Sequence, residues 1–155
     1  MKKFMYMCMM LLAATLTFTA CGSDDDDDNG GGNNQQQQQE INQDNYYKYQ
    51  ESVNIKGAGT MIIIGEATFD KGVCTAMVMT YIYPTKKIAN ATWEEFQNDP
   101  TMEDELPKYT YDGDKTMTYT FDNETIASMS VLGKNYVCGI VKSTVQDMVA
   151  ALSGN

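Results

Sequence analysis

The segment Thr60–Tyr83, with the sequence TMIIIGEATFDKGVCTAMVMTYIY, decides the fold of this chain. Two runs rich in β-branched, aromatic and methionine residues flank Asp70-Lys71-Gly72, a short connection in which glycine supplies a positive φ. These features predict an antiparallel hairpin of strands Thr60–Phe69 and Val73–Tyr83. The uninterrupted apolar run Met61–Ile64 predicts that the first of these strands is buried on both faces.

Further elements are predicted on both sides of this hairpin. Alternating apolar and polar residues predict a strand at Tyr47–Ile55. Capping-box patterns at Thr92–Glu95 and Ser143–Gln146 predict a short helix that ends near residue 98 and a helix at the C-terminus. Four more strands are predicted, paired as two hairpins, at Tyr109–Tyr111, Lys115–Phe121, Thr125–Leu132 and Tyr136–Val141.

The order of these elements predicts the fold class. Three strands, a helix, four strands and a helix, joined by sequential hairpins, favour an α+β fold. We expect an antiparallel sheet of about six to seven strands with two short helices, built from residues 46–155 as a single domain. The alternative is a small lipocalin-like β-barrel, because seven strands are enough to close.

The composition excludes several classes of function. The chain has no histidine and a net charge of −10, and all of its basic residues are lysines. Histidine is the commonest general base and metal ligand, and arginine is the usual bidentate partner of phosphate. We therefore expect no nucleic-acid partner, no metal site, no cofactor and no catalytic residues.

The N-terminus has the pattern of an export signal. Lys2 and Lys3 precede the apolar run Phe4–Thr19, which is short for a membrane span. The sequence Phe18-Thr19-Ala20-Cys21 resembles the lipobox of bacterial lipoproteins, although leucine is usual where Phe18 stands. Gly22–Asp28 resembles the acidic export tag of surface lipoproteins in the Bacteroidota.

The resemblance to lipoproteins implies where the protein is located in the cell. Residues 1–20 are then a signal peptide that is removed, and Cys21 carries the lipid that anchors the chain in the outer membrane, on its outer face. Residues 21–45 are rich in Asp, Asn, Gly and Gln and contain almost no apolar side chain. This composition predicts a disordered tether between the anchor and the domain.

Two cysteines fall within the predicted domain, Cys74 and Cys138. An even number of cysteines in an exported protein predicts a disulfide. The alternative is a pair of buried thiols on neighbouring strands.

The domain is also rich in aromatic residues. Tyrosine and tryptophan combine a flat apolar face with a polar tip, which suits sugar stacking and protein interfaces. The alternative is that they fill half-buried strands. The candidate ligand-binding residues are Tyr81, Tyr83, Trp93, Tyr109 and Tyr111.

Together these features predict a surface-displayed, non-enzymatic binding or accessory module for a glycan or an envelope protein. A structural or assembly protein of the cell envelope is the second hypothesis. A carboxylate-based hydrolase is the least favoured, because it needs two carboxylates facing each other across a cleft.

Overall fold

Residues 37–154 are described by the structure, a computed structural model, as an open antiparallel sheet of six strands with three α-helices. The strand order is β1-β2-β3-β4-β6-β5. The α+β class is therefore confirmed, and the barrel alternative is wrong because the sheet is not closed. The strands are β1 Gln39–Asn42, β2 Tyr46–Ile55, β3 Gly59–Asp70, β4 Val73–Ile82, β5 Tyr109–Tyr111 and β6 Thr116–Thr120, and the helices are α1 Lys86–Asn98, α2 Asn123–Ser130 and α3 Lys134–Leu152.

The β3–β4 hairpin forms as predicted. Lys71 and Gly72 occupy its turn with φ of 49° and 83°, so glycine supplies positive φ where the sequence indicates it. One feature differs, because the register shifts between Thr68 and Phe69. In a regular strand, Cys74 and Met77 would lie on opposite faces of the sheet. The register shift is a β-bulge, and it places both side chains on the core face.

The helix predicted from Thr92 begins earlier. Thr85 is its N-cap, and the Thr85 hydroxyl accepts a hydrogen bond from the Ile88 amide at 3.2 Å. Thr92 lies in the middle of α1, where its buried hydroxyl donates to the Ile88 carbonyl at 3.0 Å. A threonine in a helix can form this internal bond as readily as a cap, so the capping-box pattern misplaced the helix start.

The hairpin predicted over residues 125–141 is wrong, because both of its strands are helical. Asp122 caps α2 by accepting a hydrogen bond from the Thr125 amide at 2.7 Å. The Ser143–Gln146 pattern lies inside α3, and there is a third helix where two were predicted. The core-facing residues of α3 have helical spacing over its whole length: Val137, Cys138, Val141, Val145, Met148, Val149 and Leu152.

The last part of the predicted tether belongs to the sheet. Residues 39–42 form β1, which pairs with β2. The carboxylate of Glu40 forms an ion pair with Lys142 at 2.8 Å and accepts a hydrogen bond from the Tyr47 hydroxyl at 2.9 Å. These partners, Lys142 first, lower the pKa of Glu40. Main-chain pairing and distant side chains thus order a segment that has little apolar surface of its own.

The core lies between the sheet and the helices. Helix α3 packs on β2 and β3, and α2 packs on β4. Every second residue of β2 and of β3 from Met61 is buried on this side, and so are Cys74 and every second residue of β4 from Met77. Gly65 lies directly beneath α3, because a Cβ atom there would be only 2.5 Å from Val141 Cγ1. The absence of a side chain therefore allows the helix to approach the sheet.

The predictions for the signal peptide, Cys21, the acidic tag and residues 22–36 fall outside the described residues. Within residues 37–154, none of the helices has the length and apolar character needed to cross a membrane.

Candidate functional site

Three connections meet at one end of the sheet. The Phe69 amide donates to the Asn45 carbonyl at 2.9 Å, which joins the β3–β4 hairpin to the β1–β2 turn. Lys134, the first residue of α3, donates to the Gln43 carbonyl at 2.6 Å. The Cys74 amide donates to the Ser130 hydroxyl at 2.8 Å, which fixes the end of α2 beside the start of β4. We call this region the hairpin end.

A cleft of about 440 Å³ opens at the hairpin end between β4 and α2. The α2 residues that line it recur at helical spacing, so they form one face of that helix. No acidic or basic side chain lines the cleft. Its lining residues are Val73, Cys74, Thr75, Asn123, Ile126, Ala127, Ser130 and Val131.

The large apolar side chains that are exposed within residues 37–154 come from the hairpin end. Val131 is 86% exposed and Leu132 60%, in the turn between α2 and α3. Val73 is 57% exposed at the start of β4, and Tyr136 is 41% exposed in the first turn of α3. Val73 and Val131 also line the cleft. Single exposed apolar residues are ordinary, whereas several at one end of a domain indicate an interaction site. We call these four residues the apolar rim.

The two cysteines of the domain are buried. Both thiols are free in the structure, so the disulfide predicted from the sequence is not formed in it and stays a prediction for the exported protein. Burial raises the pKa of both Cys74 and Cys138, which disfavours the nucleophilic thiolate. The Cys74 thiol lines the cleft as a small apolar surface.

The aromatic residues predicted to bind a ligand are divided by the structure. Tyr81, Tyr83 and Tyr109 are each less than 5% exposed and belong to the core. Trp93 and Tyr111 are half-buried and lie together, with their ring centroids 5.8 Å apart. Of the five predicted residues, Trp93 and Tyr111 therefore keep the surface that a ligand could reach.

The buried tyrosines have a packing role. Tyr109 is 5.4 Å from Phe96 of α1 and 4.8 Å from Tyr119 of β6, measured between ring centroids. The hydroxyl of Tyr119 donates to Glu105 at 2.9 Å. Burial, followed by this carboxylate, raises the pKa of Tyr119 to about 12. These rings attach α1 and the loop after it to the sheet.

Several carboxylates of the domain are satisfied by neighbouring side chains. Glu51 is buried, and its two oxygens accept hydrogen bonds from Gln38 at 3.0 Å and from the Tyr49 hydroxyl at 3.2 Å. Glu105 and Asp122 both form ion pairs with Lys108. Across residues 37–154, no three Cys, Asp or Glu side chains are grouped so that they could hold a metal ion.

The hairpin end was missed by reasoning from the sequence, which placed Val131 and Leu132 in a strand. The signal that could have found it is Asp122, a helix N-cap residue followed by Ile126 and Met129 at helical spacing. A helix ending before Gly133 leaves Val131 and Leu132 in a turn, where they have no core to enter.

No family model matches the chain, and neither the curated proteins nor the solved structures contain a significant match to it.

Proposed function

We propose that this chain is a non-enzymatic binding module of the bacterial cell envelope that docks an envelope protein at the hairpin end. The observation that carries the proposal is the apolar rim, two of whose residues, Val73 and Val131, line the β4–α2 cleft. The rim exposes Val73, Val131, Leu132 and Tyr136, and the fold gives none of them a partner in the core.

The chemistry of the cleft favours an apolar side chain as its occupant. The cleft is open to solvent, and most of the surface that lines it is apolar. Burying one large apolar side chain stabilises a complex by about 1.5–3 kcal/mol before the costs of association. A central apolar anchor surrounded by other apolar contacts is the usual arrangement of a protein interface.

The path of the chain supports display of this site. Gln39 pairs with Gln50 in the middle of β2, and β1 then runs toward the hairpin end. At Gln37, whose amide donates to the Ser52 hydroxyl at 3.2 Å, the described chain lies farther from the hairpin end than β1 does. With a lipid on Cys21, residues 22–36 would span roughly 20 Å if they are as flexible as their composition predicts. A tether of this kind would let the cleft turn away from the membrane.

A glycan is the second candidate partner. The Trp93–Tyr111 pair is the observation that favours it, since stacked rings with polar tips suit sugars. However, the Tyr111 hydroxyl already donates to the Asp114 carbonyl at 2.8 Å. Burial of the other three tyrosines leaves only this small surface, so a protein partner is better supported.

Photo-cross-linking in growing cells tests the proposed function. A benzophenone amino acid at Leu132 is expected to give a discrete covalent adduct with one envelope protein, because this position is 60% exposed on the apolar rim. The matched control is Lys56, which is exposed at the opposite end of the sheet. The Val131→Lys substitution should abolish the adduct from Leu132.

The contradicting results are equally definite. Equal adducts from Leu132 and Lys56 would mean contact without a specific site. Adduct formation from Leu132 that survives Val131→Lys would place the partner outside the cleft. A sugar-dependent adduct formed only from Trp93 or Tyr111 would favour the glycan.

A further inference from the structure

Strand β1 contributes almost nothing to the core. Three of its side chains are exposed, and that of Ile41 is half-buried. Every other strand of the sheet buries at least one side chain. A segment with few buried apolar contacts opens at a lower free energy than the rest of a domain. The burial of β1 therefore marks it as a part of the sheet that can leave on its own.

The main chain of β1 is paired on one side only. As the edge strand of the sheet, β1 pairs with β2 alone. Gln43 and Tyr46 exchange both main-chain hydrogen bonds across the turn that follows β1, at 2.8 and 3.4 Å. Such bonded pairs alternate along an antiparallel ladder, so Ile41 and Lys48 form the next one. Few main-chain hydrogen bonds thus have to break before β1 can leave β2.

Polar side chains supply the other attachments of this segment. Glu40 takes part in two of them, as the partner of Lys142 and of the Tyr47 hydroxyl. The side chain of Gln38, just before the strand, donates to Glu51 at 3.0 Å. Lys142 and Glu40 are 40% and 41% exposed, so water screens their ion pair and its contribution is small. Breaking these attachments leaves the apolar core intact.

The turn that follows β1, residues 43–45, is attached to elements of the core. The Asn45 carbonyl accepts a hydrogen bond from the amide of Phe69 in β3, and the Gln43 carbonyl accepts one from the ammonium of Lys134 in α3. Phe69 is itself buried, so the turn is fixed at the hairpin end. Residues 37–42 can therefore leave β2 while residues 43–45 keep their place as a hinge.

We propose that residues 37–42 are a strap that opens as a unit from the edge of β2. In the closed state the described chain begins beside Ser52, whose hydroxyl accepts a hydrogen bond from the Gln37 amide at 3.2 Å. In the open state the chain leaves the domain at Gln43, at the hairpin end. Six residues of extended chain separate these two points, which is about 20 Å.

The state of the strap decides from which part of the domain the predicted tether leaves. With the strap closed, a lipid on Cys21 would connect to the domain about 20 Å from the hairpin end. With the strap open, it would connect at the hairpin end, where the cleft lies, and would hold the cleft close to the membrane. The closed strap therefore favours display of the cleft. This consequence rests on the proposed function, whereas the opening of β1 is a property of the domain alone.

Hydrogen exchange of single amides, measured by NMR on the mature full-length chain in detergent micelles, tests the opening. Ile41 and Lys48 should exchange at one common rate after correction for their intrinsic rates, because one event exposes both amides. This rate should be at least about 100-fold faster than that of Ile63, a fully buried residue of the inner strand β3.

Glu40→Gln tests whether side chains hold the strap closed. It removes the charge that attracts Lys142 without changing the size of the side chain, so the common exchange rate of the strap should rise about three- to tenfold. Exchange at Ile63 should not change. The matched control is Asp147→Asn, which removes an exposed carboxylate from α3 and should alter neither rate.

Ile41→Pro tests the consequence for the cleft. Proline has no main-chain N–H and disrupts a paired strand position, so it should hold the strap open. The photo-cross-linked adduct from Leu132 in growing cells should then fall at least about threefold, because the cleft is held near the membrane. The matched control is Ile41→Val, which keeps the pairing and should give the parent yield.

Three results would overturn the strap. Exchange of Ile41 and Lys48 at the rate of Ile63 would mean that β1 opens only with the whole domain. Two different rates for Ile41 and Lys48 would mean that β1 frays and does not open as a unit. An unchanged Leu132 adduct in Ile41→Pro would show that the strap does not control display of the cleft. Absence of the adduct from the parent protein would contradict the proposed function instead and would leave the exchange rates unaffected, so the two failures are distinguishable.

Discussion

Replacing Gly65 with valine is expected to lower the free energy of unfolding by about 3 kcal/mol, a large part of the stability of a domain of this size. A Cβ atom at this position would be 2.5 Å from Val141 Cγ1, 3.1 Å from Val145 Cγ2 and 3.2 Å from Met79 Sδ. The two valines are stiff at χ1, so they cannot rotate away without strain. Helix α3 would have to move off the sheet. Urea unfolding followed by circular dichroism measures the change.

Gly139 provides the matched control for this substitution. It lies in α3 itself, and a Cβ atom there would meet nothing within 4 Å. Gly139→Ala should therefore raise the free energy of unfolding by about 0.5–1 kcal/mol, as expected for an exposed helical site. In the Gly65→Val background, Val141→Ala should restore part of the lost stability, because it removes the Cγ1 atom nearest to the new side chain. Equal unfolding midpoints for Gly65→Val and the parent would show that α3 does not pack on β3 at this point.

Substitution of Cys21 by alanine is expected to release the protein completely from membranes. Two or three acyl chains at this position would hold the chain firmly, since each buried methylene contributes about 0.8 kcal/mol. Without the Cys21 thiol, the lipid has no atom to which it can be attached. Fractionation of cells into membrane and soluble portions, followed by immunoblotting, measures the change.

Cys8 is the control for the anchor. It lies within the apolar run Phe4–Thr19 of the predicted signal, where too little apolar sequence precedes it for cleavage. Cys8→Ala should therefore remain in the membrane fraction like the parent. Retention of Cys21→Ala in membranes would contradict the lipoprotein prediction. It would also remove the basis for the predicted surface location.

The sequence predicts the first half of the fold well for a clear reason. In Thr60–Tyr83, local propensity, alternation and turn chemistry agree, and the hairpin forms with Gly72 at positive φ as expected. The alternation of residue types in the sequence does not reveal the bulge between Thr68 and Phe69, because a single extra residue in a strand has no characteristic composition. Its consequence is large, since it moves Cys74 to the core and to the floor of the cleft.

The second half shows where local patterns fail. Residues 125–141 include Val131, Tyr136, Val137 and Val141, which favour strands by propensity. Tertiary packing overrides that preference, because α3 presents a continuous apolar stripe to β2 and β3. Strict period-2 alternation is absent from this stretch, and the helical spacing becomes clear only when all of Val137–Leu152 is considered together.

The candidate site was less predictable than the fold. Tyr81 in β4 and Tyr83 just after it alternate with the half-buried Thr80 and Ile82, a pattern equally compatible with a binding face or a core face. Which of the two faces becomes the core depends on where the helices pack. That packing depends in turn on Gly65, which allows α3 to approach the sheet. The apolar rim exists because α2 ends at Ser130 and leaves Val131 and Leu132 in a turn. The prediction of a strand at Thr125–Leu132 did not indicate this.

The most direct test of the proposed function is the rate at which the Val131→Cys variant reacts with a membrane-impermeant maleimide on intact cells. If an envelope protein covers the cleft, Val131→Cys should react at least about tenfold more slowly on cells than in purified protein. Lys56→Cys, at the opposite end of the sheet, should react at the same rate in both. Equal rates for Val131→Cys on cells and in purified protein would show that the cleft is uncovered, which contradicts the proposed function.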